Sequence, residues 1–152
     1  MVELITAFDK AIIRRLVELE ADAFGAGGMN EWQLVPLIRH GHVYVTRKAG
    51  EVIGAVQYML DWHNPKKAYM IGVSIAKEQR GQGVGTGFIK ETFTPLAAEG
   101  IEEVELTVDP ANAAAVKVYK GKLGFTVTEF RRDEYGDGED RLVMKLSLKK
   151  CK

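Results

Sequence analysis

The chain has 152 residues, and 21 lysines and arginines balance 21 aspartates and glutamates, so its formal net charge is zero. That length suits a single domain spanning residues 1–152, with a core that needs no disulfide or metal staple. The balanced charge excludes a general pull toward nucleic acid or an anionic membrane. The lone cysteine, Cys151, has no internal partner, no run approaches the ~18 apolar residues of a membrane span, and the N-terminus lacks a signal-type apolar core, so a cytoplasmic protein is expected.

In chain order, Val2–Thr6 is apolar enough for a first strand. Asp9 can cap a helix whose apolar positions, Ile12, Leu16, Leu19 and Ala23, recur at helical spacing. Gly25-Ala26-Gly27-Gly28 breaks that helix. Asn30, with Gln33 three residues on, has the pattern of a capping box for a short helix ending near His40. His42–Lys48 and Val52–Leu60 predict a strand pair turned at Ala49-Gly50-Glu51, and Trp62–Lys67 predicts a second turn. Tyr69–Ile75 is apolar on both faces, as a central strand is.

A glycine loop follows, and then a helical run from Phe88 to Glu99, in which Pro95 predicts a kink or an early end. Glu102–Val108 is another strand, ended by Asp109-Pro110. Asn112 caps a helix carrying Ala115, Val116 and Tyr119, and Gly124-Phe125 closes it. Phe125–Arg132 and Arg141–Leu148 predict a last hairpin. The order β-α-α-β-β-β-α-β-α-β-β describes an α/β domain built on one mixed sheet.

The loop Arg80-Gly81-Gln82-Gly83-Val84-Gly85-Thr86 carries the strongest chemical signal. Glycines at alternate positions permit tight turns with positive φ. Amide N–H groups there can converge on an anion, assisted by the start of the next helix and by the guanidinium of Arg80. A phosphorylated ligand is expected. A P-loop is excluded because no Gly-Lys-Ser/Thr follows. A dinucleotide fingerprint is excluded because Thr86 and Phe88 stand where a third glycine belongs.

Arg80-x-x-Gly83-x-Gly85 after an apolar strand resembles the coenzyme A pyrophosphate signature of the GNAT family of N-acetyltransferases. Asn112-x-x-Ala115-x-x-x-Tyr119, followed by Leu123-Gly124-Phe125, is similar to a later motif of that family. One departure is an extra residue between Tyr119 and Gly124, within Lys120-Gly121-Lys122, which predicts a bulged helix end.

The resemblance implies a GNAT-like acyl-CoA N-acyltransferase fold, with a mixed, mostly antiparallel sheet of about seven strands and four helices. It also implies acetyl-CoA as co-substrate and no metal. Backbone groups of Val73 and Ile75 would hold the pantetheine arm and acetyl carbonyl. Amides from Arg80 through Gly81, Gln82, Gly83, Val84 and Gly85 to Thr86 would hold the pyrophosphate. Asn112 would bind near the pantetheine, and Tyr119 would stand near the sulfur.

The chemistry of these residue types agrees. Positions 112, 115 and 119 share one helical face. A phenol of pKa about 10 is protonated at neutral pH and can donate to a departing thiolate. A proton acceptor for the amine is harder to identify. An alkylamine of pKa about 10.4 is under roughly 0.1 % neutral at pH 7, whereas an α-amine near 7.8 is more than about 10 % neutral. Glu105, Asp61, His63, Glu20 and Tyr135 are the candidates, and each is also explained as a solvated polar side chain or a turn former. No His/Cys/Asp/Glu grouping has metal spacing.

Glu129–Asp140 is acidic and would attract a cationic amine if it overhung the acceptor side. The Tyr135 region also resembles the ribosomal-protein alanine acetyltransferase group, although Glu134-Tyr135 and Thr107 stand where that group often has paired tyrosines and a glutamate. The expected activity is acetyl transfer to a primary amine by direct attack. A small amine or amino-acid derivative is the first acceptor and a protein N-terminus the second. A non-catalytic acyl-CoA-binding module is the alternative class. A homodimer stays open.

Overall fold

The computed structural model describes residues 1–150, and Cys151 lies outside them. Seven strands form one sheet: β1 (Val2–Leu4), β2 (His42–Lys48), β3 (Glu51–Asp61), β4 (Asn64–Ile75), β5 (Glu103–Val108), β6 (Thr126–Arg131) and β7 (Arg141–Ser147). Four α-helices join them: α1 (Lys10–Phe24), α2 (Glu31–His40), α3 (Val84–Ala98) and α4 (Ala113–Lys117). The element order is the expected one.

The sheet order is β1-β2-β3-β4-β5-β7-β6. Every neighbouring pair is antiparallel except β4 and β5, which are parallel because α3 carries the chain back between them. Alternation along each strand feeds two cores. Val43, Val45 and Ala55 pack with Leu16 and Leu19 of α1 and Leu34 and Ile38 of α2. Tyr44, Val56 and Tyr58 pack on the other face with Phe88, Ile89, Phe93 and Leu96 of α3. The central strand β4 therefore lies between helices on both faces.

Local signals explain the ends. The Asp9 side chain accepts from the Ile12 N–H at 3.0 Å, capping α1. The Asn30 side chain accepts from the Trp32 N–H at 3.0 Å, while the Gln33 side chain accepts from the Asn30 N–H at 2.9 Å. Asn30→Ala removes that acceptor. It should lower stability by about 1 kcal/mol, seen calorimetrically as a Tm drop of about 2–4 °C for a chain of this size. An unchanged Tm would show that the box adds nothing to α2.

Two expectations need correction. The second turn is shorter than Trp62–Lys67, because β4 begins at Asn64 and pairs it with Asp61. The Asp61 side chain accepts from the His63 N–H at 2.7 Å and closes a two-residue turn, so Pro65-Lys66-Lys67 becomes strand. Of the kink or early end expected at Pro95, the early end does not occur. The helix runs on to Ala98, because a proline in the last turn forfeits a single backbone hydrogen bond.

Candidate functional site

β4 and β5 run side by side only briefly. Their register holds for Lys67↔Glu103, Ala68↔Val104 and Tyr69↔Glu105. β5 goes on pairing with β7 as far as Val108↔Leu142. β4 goes on pairing with β3, but its register steps from Tyr58↔Met70 to Gln57↔Gly72, leaving Ile71 as a bulge. The two central strands therefore part beyond Tyr69 and Glu105. A cavity of about 190 Å³ fills the parting, walled by Met70, Gly72 and Val73 of β4, Leu106 and Thr107 of β5, Phe24 from α1 and Tyr119.

The free edge of β4 faces this parting. The Ala76 N–H donates to the Ile53 carbonyl at 2.7 Å. Alternation then turns the backbone of Ser74 toward β3 and the backbone groups of Val73 and Ile75 away from it, toward the β5 side. The Ile75 carbonyl already accepts from Arg80 Nε at 3.0 Å, so the amide of Ile75 and both backbone groups of Val73 are the ones presented to a ligand.

Past Ile75 the chain enters the glycine loop. Gly81 and Gly83 have φ of 77° and 78°, which only glycine adopts freely. Gly85 serves packing instead, since a Cβ there would meet Ile75 Cγ1 at 3.3 Å. Among the described residues no side chain caps α3 at Gly83, so the opening N–H groups of Val84, Gly85 and Thr86 stay available to an anion. The Arg80 N–H donates to Lys77 at 3.3 Å, so the free amides begin at Gly81. The Gln82 side chain donates to the Glu78 carbonyl at 3.2 Å. The Arg80 guanidinium reaches Asp22 at 3.1 Å, tying this loop to α1.

Tyr119 reaches the parting through an irregular helix end. α4 passes into a π-helical turn over Val118–Lys122, where the Leu123 N–H donates five residues back to Val118 at 3.1 Å. The Phe125 N–H then donates to the Tyr119 carbonyl at 2.9 Å. This wide turn absorbs the residue inserted before Gly124. The Tyr119 ring meets Phe125 edge-on at 5.8 Å, and burial pushes its phenol pKa up, so it stays protonated at neutral pH. Asn112 is exposed, and its Oδ1 caps α4 by accepting from the Ala115 N–H at 3.2 Å. Its amide nitrogen is not used in that bond.

The candidate proton acceptors separate in space. Glu105 and Asp61 share Lys67, whose Nζ lies 3.0 Å from Glu105 and 3.2 Å from Asp61. Lys145 stands 3.8 Å from Glu105. His63 is exposed in the β3–β4 turn. Tyr135 is exposed, with the Arg141 guanidinium 4.9 Å over its ring. Glu20, on the inner face of α1, is the most buried of the five at 2 % exposure, with Glu105 next at 8 %.

Burial pushes the Glu20 carboxyl pKa up, against the opposing effect of the Met29 N–H and Gln57. A folded pKa above the unfolded one favours the protonated form. The stability Glu20 contributes is therefore complete below the ordinary carboxylate range and lost as pH rises through the raised value. As pH rises above the ordinary carboxylate range, Glu20→Gln should gain thermal stability relative to the parent, and a pH-independent difference would contradict this.

The hairpin acids are mostly spent locally. Arg131 pairs with Glu129 at 2.9 Å and with Glu134 at 3.1 Å, and Arg141 pairs with Glu139 at 3.3 Å. Asp133 and Asp140 accept backbone N–H groups inside the loop. This is the chemistry of a solvated turn.

Sequence reasoning did not anticipate Phe24 as a wall of the parting. It also missed the hydroxyl pair of Tyr69 and Thr107, which touch at 3.0 Å across the fork. Burial pushes the Tyr69 phenol up to about 12, so this pair stays neutral. Among the described residues no group of three or more His, Cys, Asp or Glu side chains could hold a metal ion, and no helix is long and apolar enough to cross a membrane.

Comparison with known proteins gives a consistent picture. The profile of the acetyltransferase (GNAT) family matches residues 13–125. An N-terminal acetyltransferase complex ARD1 subunit homologue of Dictyostelium discoideum is 32% identical over 101 residues, covering 66% of this chain and 50% of that protein. The matched region thus spans half the length of that relative. Among solved structures, the ribosomal-protein-S18-alanine N-acetyltransferase from Escherichia coli superposes with a TM-score of 0.79 at 18% identity, covering 97% of this chain and 94% of that one. A Bacillus subtilis acetyltransferase in complex with CoA gives 0.75 at 14% identity, covering 96% and 97%. At these identities the structural likeness speaks for the fold.

Proposed function

The chain belongs to the acetyltransferase (GNAT) family, and from that premise we propose that it moves the acetyl group of acetyl-CoA to an amine held in the same complex. The observation that carries this reading is the parting of β4 and β5, with the free edge of Val73 on one wall and Tyr119 on another. The residues fit the cofactor. The amides from Gly81 to Thr86 suit its pyrophosphate, and the β4 edge suits an amide-bearing arm.

In the proposed reaction, the amide N–H on the β4 edge near Val73 and Ile75 stabilises the oxyanion that forms at the acetyl carbonyl. Tyr119 gives its proton to the departing sulfur. Asn112 would steady the pantetheine with its amide nitrogen. The extra residue before Gly124 was the only sequence feature favouring a non-catalytic binding module. The π-helical turn absorbs it and still leaves Tyr119 in the cavity wall.

We place a peptide α-amine first among acceptors. The Dictyostelium relative is described as an N-terminal acetyltransferase subunit homologue, an α-amine is far more often neutral than an alkylamine, and most of the hairpin acids are occupied rather than free to draw a cation. A small amine or amino-acid derivative is the second reading. A cytoplasmic location goes with this proposal. Mass spectrometry tests it with two peptides, one with a free α-amine and one with that amine blocked and a lysine free. Acetylation of the first alone supports the α-amine reading, and acetylation of the blocked peptide at equal rate would overturn it.

A further inference from the structure

Among the described residues six buried side-chain polar atoms have no hydrogen-bond partner, and four of them lie between α1 and the strands β3 and β4: Glu20 Oε2, Gln57 Nε2, Gln57 Oε1 and Ser74 Oγ. They form one group. Gln57 pairs across the strands with Gly72, and Ser74 with Ala55, which sets both side chains on the face covered by α1. Gln57 is fully covered at 0 % exposure, and Glu20 lies beside it closely enough to feel its amide. Buried polar atoms in proteins find partners, in protein or in ordered water. Three such side chains left short of partners in one place mark a site for water.

The place has room, and it communicates with the parting. A Cβ built at Gly72 would meet only Gln57 Oε1 within 4 Å, at 3.4 Å. Gly72 also lines the cavity between β4 and β5, as does Phe24, one helical turn beyond Glu20. The bare Cα of Gly72 is therefore a gap between the parting and the polar group under α1. Glu20 is fixed at the far side, since its Oε1 accepts from the Met29 N–H at 2.9 Å.

We propose that Glu20 is the proton acceptor for the attacking amine, reached through Gln57 and water seated over Gly72. This rests on the transfer reading above. The ammonium acceptor loses one proton through that water to the Glu20 carboxylate, and the neutral nitrogen forms its bond to the acetyl carbon. As the carbon–sulfur bond breaks, Tyr119 gives its proton to sulfur and regains one from the former ammonium nitrogen. The Glu20 proton returns to solvent by the same route, so one proton is released per acetyl group transferred.

The surroundings of Glu20 suit the task. Burial moves its carboxyl toward the working pH, where a base is most effective. Among the described residues no charged side chain lies close enough to shift it. On α1, Asp22 is taken by Arg80. α2 contributes Leu34 and Ile38 to this side, β3 contributes Gln57 and Ala55, and β4 contributes Ser74 and Gly72. The α1–α2 connection offers only the Met29 N–H.

The test uses the full chain and its best amine acceptor, with kcat and KM followed across pH. Glu20→Gln keeps an oxygen for the Met29 N–H but cannot take a proton. It should lower kcat by about 100-fold, leave the KM for acetyl-CoA within about twofold, and remove the acidic limb of the profile. Gly72→Ala, whose added methyl meets Gln57 at ordinary contact distance, narrows the passage. It should lower kcat by about tenfold with an unchanged Tm. If the parent turns over while both variants keep its kcat and its acidic limb, the proposal is overturned and the transfer reading stands. If the parent releases no product from any amine, both fall together.

Discussion

Tyr119→Phe is expected to lower kcat by about 10²–10⁴ while leaving the affinity for acetyl-CoA almost unchanged. The phenol is the group in the cavity wall that can protonate a departing thiolate. Burial holds its pKa above the ordinary phenol value, so it arrives protonated. Removing the hydroxyl forfeits about 3–5 kcal/mol of transition-state stabilisation. The ring still packs edge-on against Phe125, so the π-helical turn and the fold survive. Steady-state kinetics and calorimetric titration with acetyl-CoA separate the two quantities. A phenylalanine variant with full kcat would remove Tyr119 from the chemistry.

Gly83→Glu should weaken acetyl-CoA binding by about 100-fold, equivalent to about 2.7 kcal/mol. Two effects combine. The φ of 78° costs an L-residue about 1–2 kcal/mol, and a carboxylate beside the opening amides of α3 repels the phosphates those amides would hold. Space is not the obstacle, because a Cβ at Gly83 meets nothing within 4 Å. Gly83→Ala isolates the backbone contribution and should weaken binding by no more than about tenfold. If the glutamate variant bound as tightly as the parent, the pyrophosphate would have to sit elsewhere.

Much of this architecture is legible in the residues. Asp9 and Asn30 are side-chain caps that work locally, and the glycine pattern at Gly81, Gly83 and Gly85 reports φ and close packing at the loop itself. Glu20 sits one turn from Leu16 on the apolar stripe of α1, so even its burial follows from helical spacing. What escaped depends on register between distant strands. The parting of β4 and β5 arises because parallel pairing stops after Tyr69↔Glu105 while each strand keeps its other neighbour. No local pattern encodes that event. It places Phe24, Gly72 and Tyr119, from three separate elements, around one cavity. The early start of β4 was hidden by Pro65 and two lysines, which read as a turn until the Asp61 side chain is seen closing a tighter one.

Free-thiol release from acetyl-CoA, measured with a panel of amines, amino acids, polyamines and short peptides with free α-amines, tests acetyl transfer itself. Stoichiometric thiol and acetylated product are expected with one acceptor class, α-amine peptides foremost, with near-complete loss of both in Tyr119→Phe. Tight acetyl-CoA binding with no thiol released for any acceptor would contradict it, leaving a chain that binds the cofactor without using it.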